Sequence, residues 1–218
     1  MRKLLPFFLL AFAIPVVTLA QQPVPFEAEI QAFEEQDKTT PPPKDAILFT
    51  GSSSIRLWES LKTDFPDKVV LNRGFGGSKL PDVIHFADRA IIPYKPKQIV
   101  IYVGENDVAS GTVTAREVCD RFVTLFTKIR KSLPQTPIVF ISMKPSPSRR
   151  NYLPITIEAN QLIKRYLEKQ SRAEYLDVYT PMLDASGRIR GELFRADSLH
   201  MTPKGYEVWT EKLKPLLK

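Results

Sequence analysis

Gly51-Ser52-Ser53-Ser54 places three adjacent hydroxyls behind a glycine. Where a strand turns into a helix, such a serine stands exposed beside backbone N–H groups that lack an intrahelical partner and can stabilise an oxyanion. A serine hydroxyl is a weak nucleophile until a base takes its proton. The chain has two histidines to supply one, His85 and His200. His85 sits in an expected helix with Asp82 and Asp88 on what would be its solvated face, which reads as structural. His200 closes Asp197-Ser198-Leu199-His200, a spacing that lets the carboxylate reach the imidazole, fix its tautomer and stabilise its charged form.

Two further stretches supply donors. Asn72-Arg73-Gly74-Phe75-Gly76-Gly77-Ser78 is rich enough in glycine to turn tightly and leave an N–H pointing outward. Gly104-Glu105-Asn106-Asp107 carries a side-chain amide that can donate to developing negative charge. Each also has a plain structural explanation, as a helix cap, a glycine turn or an Asx turn. The residues alone leave Ser52, Ser53 and Ser54 equivalent.

These stretches must be positioned by something, and the hydrophobic pattern says what. Short β-branched or aromatic runs at 45–50, 68–71, 98–103, 137–142 and 174–178 predict five strands. Longer amphipathic stretches between and after them predict helices at 54–62, 79–90, 113–132, 154–171 and 203–216; in the third, Ala115, Val118, Phe122, Leu125, Phe126 and Ile129 recur at helical spacing. Strands alternating with helices imply a parallel sheet covered on both faces, an α/β fold whose ligand crevice lies at the carboxyl ends of the strands. A separate helix is expected at 25–36, followed by the stiff connector Thr39-Thr40-Pro41-Pro42-Pro43.

Residues 1–20 read as a secretion signal: a basic Met1-Arg2-Lys3, an apolar run to Val17, and small residues at Thr18 and Ala20 for cleavage. The run is shorter than the roughly 20 residues that span a bilayer, and Pro6 and Pro15 interrupt it. No stable membrane span is expected after cleavage, and without a cysteine at the cut no lipid anchor is expected there; the product would be periplasmic or secreted. The rest divides into 21–44, the helix and connector, and 45–218, one domain of ordinary size. Net charge is +7, of which Arg2 and Lys3 leave with the signal, and the remaining cations are dispersed without a nucleic-acid motif. Cys119, the single cysteine, falls at a buried helix position and reads as a small core residue. The glycine stretch lacks a Gly-Lys-Ser/Thr ending or a Gly-x-Gly-x-x-Gly pattern, and the histidines lack metal-ligand spacing, so neither nucleotide nor metal site is expected.

Taken together, the four blocks resemble the SGNH (GDSL-like) hydrolase family, whose name lists the Ser, Gly, Asn and His of four sequence blocks. The resemblance runs from about Ala46 to Tyr206. It implies a three-layer α/β/α sandwich with five parallel strands in flavodoxin-like order, and an esterase needing no cofactor. It also implies Ser53 as nucleophile, Asp197 and His200 as its partners, and an oxyanion hole from the N–H groups of Ser53 and Gly77 with the Asn106 amide. Phe-Thr-Gly-Ser-Ser-Ser and Asn-Arg-Gly-Phe-Gly-Gly are similar to a bacterial branch with platelet-activating-factor acetylhydrolase-like and lysophospholipase-like esterases. Two positions depart from the family pattern: Ser52 and Ser78 stand where Asp is usual. The substrate implied is a small-molecule, lipid or carbohydrate ester, and Arg73, Lys144 and Arg195, expected at strand ends or beside the Asp-His block, are candidates for binding it. The competing reading is an inactive relative that keeps the fold to bind a ligand.

Overall fold

The computed structural model describes residues 24–218; the expected signal segment lies outside the described residues. Helix α1 (Glu27–Thr39) leads through the proline connector into β1 (Ile47–Gly51), α2 (Ser53–Arg56), α3 (Leu61–Asp64), β2 (Val70–Gly74), α4 (Leu80–Ala90) and β3 (Gln98–Tyr102). Then come α5 (Glu105–Val108), α6 (Ala115–Ser132), β4 (Ile138–Ile141), α7 (Leu153–Leu167), β5 (Ala173–Leu176) and α8 (Pro203–Leu213). The five strands pair in parallel in the order β2-β1-β3-β4-β5.

Strands β1, β3 and β4 are buried throughout, so their side chains, alternating between the faces, need cover on both. On one face Leu48, Ile99, Ile101, Ile138 and Phe140 pack with Phe86 of α4, Phe122 and Ile129 of α6 and Ile163 of α7. On the other, Ile47, Phe49, Val100, Tyr102, Val139 and Ile141 pack with Trp58, Tyr206, Trp209 and Leu213. The result is the three-layer α/β/α sandwich. Helix α6 begins at a capping box, in which Thr114 accepts from Glu117 N and its own N–H donates to the Glu117 carboxylate at 2.7 Å. Its buried stripe includes Cys119, whose thiol burial pushes above its ordinary pKa.

Several boundaries shift by a few residues from the sequence reading, and two of the shifts bear on the site. The helix expected at 54–62 breaks after Arg56, because Trp58 is drawn into the core, where it stacks on Tyr206 and donates its indole N–H to Asp64 at 2.6 Å. Strand β2 runs on through Asn72 and Arg73 to Gly74, since β1 pairs with it as far as Gly51. That extension puts Arg73 inside the sheet, beneath α1. Helix α1 buries Ile30 and grips its neighbours by carboxylates: Glu27 and Glu34 hold Arg89, Asp37 pairs with Arg73, and Glu29 accepts Gly76 N–H at 2.9 Å. Among the described residues no helix is long and apolar enough to cross a membrane.

Candidate active site

Strand β1 ends on a backbone that only glycine tolerates. Gly51 has φ +122°, and a Cβ there would lie 1.9 Å from the Tyr102 carbonyl oxygen. The close approach lets Ser52 N–H donate to that oxygen at 2.9 Å and turns the chain out at the carboxyl edge of the sheet. Ser52 and Ser54 are thereby buried, while Ser53 stays partly open. Ser53 is the first residue of α2, and its N–H has no hydrogen-bond partner among the described residues.

His200 reaches Ser53 across the edge of the sheet. Its Nε2 is 3.0 Å from Ser53 Oγ, and its Nδ1 is 2.7 Å from Asp197 Oδ2. The other Asp197 oxygen accepts the N–H groups of Leu199 and His200, both at 2.9 Å, so one carboxylate fixes both the loop and the ring. The loop is closed by Arg195 N–H donating to His200 O at 2.7 Å and by Thr202, which caps α8. Residue spacing alone could not show this closure, which depends on Ser198 adopting φ +56°. The hydrogen bond from His200, working against a smaller effect of burial and joined by the backbone donors, holds the Asp197 carboxyl at about 2.

Gly77 and Asn106 stand side by side: a Cβ on Gly77 would lie 3.9 Å from Asn106 Nδ2. That amide donates to Ser78 O at 3.1 Å, which leaves its second hydrogen for another acceptor. Gly77 is exposed, and its N–H has no partner among the described residues. Both loops are pinned from behind by the buried Asp107, which accepts Leu80 N–H and Arg121 Nη1, each at 2.8 Å. Of the two serines in place of Asp, Ser78 donates its hydroxyl to Gly51 O at 3.3 Å, whereas the Ser52 side chain makes no capping bond.

Two of the three basic residues are placed otherwise than expected. Arg73 is buried, paired with Asp37, bonded to Tyr94 Oη at 2.8 Å and stacked between Phe33 and Tyr94. Lys144 is 1% exposed and donates to Glu105 at 2.5 Å. Neither faces solvent, because each neutralises a carboxylate far away in sequence. Arg195 is exposed and bonds Met201 O at 2.9 Å. His85 is exposed on α4.

The family model for the GDSL-like lipase/acylhydrolase family matches residues 48–208. This chain belongs to that family. It is an ester hydrolase of the SGNH type, and the match spans every residue from the Gly51 turn to the His200 loop. No curated relative matches it in sequence. Among solved structures it is similar to a Streptococcus pneumonia protein named after platelet activating factor, with TM-score 0.76, 20% identity, and 88% of this chain and 92% of that one covered. A GDSL-like lipase from Bacteroides thetaiotaomicron gives TM-score 0.72 at 18% identity, covering 87% and 97%. A mutant acetyl-xylooligosaccharide esterase from Geobacillus Stearmophilus gives 0.63 at 14%, covering 79% and 94%. At these identities the likeness is one of fold.

The depressed Asp197 pKa has a consequence for pH dependence. The carboxylate is charged above about 2, so the stability it lends is complete above its ordinary 3.8 and is lost only as pH falls through about 2. Above about pH 4 the kcat/KM profile is therefore expected to show no ionisation of Asp197. A protonation step near pH 4 would show Asp197 unpaired.

Proposed function

We propose that Ser53, His200 and Asp197 form a Ser-His-Asp triad that hydrolyses acyl esters through an acyl-enzyme. The observation that carries this reading is the hydrogen-bonded row from Asp197 through both imidazole nitrogens to Ser53 Oγ, at 2.7 and 3.0 Å. His200 Nε2 takes the Ser53 proton as Oγ attacks the ester carbonyl, and Asp197 stabilises the imidazolium. The oxyanion meets the N–H groups of Ser53 and Gly77 and the spare hydrogen of the Asn106 amide. His200 then passes its proton to the leaving alkoxide. A water, deprotonated by the same nitrogen, attacks the acyl-enzyme; the bond to Oγ then breaks, the carboxylic acid leaves, and His200 returns its proton to Ser53 Oγ. The route draws on no metal or organic cofactor.

Charge bears on the substrate. With Arg73 and Lys144 neutralised internally, the case for an anionic leaving group rests on exposed Arg195 and on Arg149. Arg149 lies in the turn Pro147–Tyr152 beside Ser198, its Nε without a hydrogen-bond partner among the described residues. A neutral ester such as an O-acetylated carbohydrate therefore fits better than a lysophospholipid. The N-terminal pattern of Met1 to Ala20 supports export to the periplasm or medium.

Four outcomes test these readings. Ser53→Ala and His200→Ala should each lower kcat by roughly 10³-fold or more, and the double variant should be little worse, because the groups act as a unit. Ser52→Ala and Ser54→Ala should cost far less; equal loss at Ser54 would reassign the nucleophile. With matched esters of one acyl length, neutral compounds should be turned over at least as well as phosphate-bearing ones, with little salt dependence; a salt-sensitive anionic preference lost in Arg149→Met would reverse the substrate assignment. The exported protein should begin at Gln21 by N-terminal sequencing, whereas retention of Met1 would count against the signal.

A further inference from the structure

Directly under the reactive residues lies a buried polar cluster that the acyl-transfer route does not use. Glu105, Lys144, Ser146 and Tyr102 are all within 5% of full burial. Tyr102 Oη donates to Glu105 Oε2 at 2.6 Å, Lys144 Nζ donates to the same oxygen at 2.5 Å, and Ser146 Oγ donates to Oε1. Burial alone would raise the Glu105 carboxyl, but Lys144, Ser146 and Tyr102 together bring it below its ordinary value.

What singles out the cluster is the set of loops it joins. Glu105 immediately precedes Asn106 at the start of α5. Tyr102 lies close enough to the Ser54 hydroxyl to feel it, and its carbonyl receives Ser52 N–H, so it holds the Ser53 turn from both sides. Ser146 opens the segment whose Ser148 N–H donates to Ser198 O at 2.9 Å, between Asp197 and His200. One carboxylate thus ties together the three loops that carry the nucleophile, the amide donor and the base. A buried ion pair is weak as a stabiliser, because apolar residues of the same volume would do as well. It is rigid and specific, since every partner has a fixed place.

We propose that the Glu105–Lys144 pair, with Ser146 and Tyr102, is a positioning device that sets Asn106 and His200 at their working distances from Ser53. The proposal rests on the triad reading and adds residues that never touch substrate. Displacement of reacting groups by a fraction of an ångström lowers turnover without weakening substrate binding, which is the signature to look for.

The test is the double variant Glu105→Gln/Lys144→Met, because either single change leaves an unpaired charge in the core and endangers folding. The double variant should keep its fold by circular dichroism and stay monophasic in thermal melting. Its kcat on a p-nitrophenyl ester should fall by about 10- to 100-fold with KM within about twofold, and a fluorophosphonate should still label Ser53 to completion, but more slowly. A folded double variant with unaltered kcat, or one whose loss lies in KM, would overturn the proposal. Should the double variant not fold, Ser146→Ala, which removes one hydroxyl, decides: a several-fold drop in kcat at unchanged KM supports the device, and wild-type kcat rejects it. Failure of the triad reading would be seen separately, as activity surviving in Ser53→Ala.

Discussion

The approach of the Gly51 backbone to the Tyr102 carbonyl is the constraint on which the site depends. At that point β1 has no room for a side chain, and three strand ends are drawn to one peptide group. Ser52 N–H goes to Tyr102 O, while Phe75 N–H and the Ser78 hydroxyl come to Gly51 O at 3.0 and 3.3 Å. Strand β2 delivers the glycine loop, β3 delivers Asn106, and β1 delivers Ser53, all at the same level. The sheet order, with β1 between β2 and β3, makes this meeting possible. The fourth contribution, from the His200 loop, enters from outside the sheet and is held by Asp197 and by the contact of Ser148 with Ser198.

Charge plays two separate parts in this molecule. At the surface of the site it is spare and directional: Asp197, about half exposed, serves one imidazole and two backbone donors. Beneath, it is paired and enclosed, in Asp107 with Arg121, in Glu105 with Lys144 and in Asp37 with Arg73. The enclosed pairs each join separate elements of the fold, and each abuts a loop of the site. Such pairs contribute little net stability, and breaking one by removing a single partner costs far more than the pair contributes.

The strands and long helices were legible because a buried parallel sheet demands continuous apolar runs, and α6 shows its stripe openly. The end of β2 was not, since Asn72, Arg73 and Gly74 have loop-like composition and are ordered only by pairing with β1. The same gap misplaced Arg73. Lys144 was misjudged for a related reason: its carboxylate lies 39 residues away, and Arg73 and Asp37 are 36 apart, separations at which sequence gives no sign of pairing. The residues themselves did not choose among the three serines. The Gly51 turn is what distinguishes them, with the two outer hydroxyls buried and Ser53 partly open. Glu105 passed unnoticed beside Asn106, because its role depends on a lysine and a serine from another loop.

Ser53 and His200 are 147 residues apart, and the C-terminal segment is itself stitched to the middle of the sheet, Lys218 N–H donating to Gln98 Oε1 at 2.9 Å. Contacts of such long range carry a loop-closure entropy that slows folding. A chain emerging from the ribosome therefore carries its serine long before it has a base to activate it. On the proposed triad, the reacting pair is assembled only once the segment that carries His200 has been made and docked.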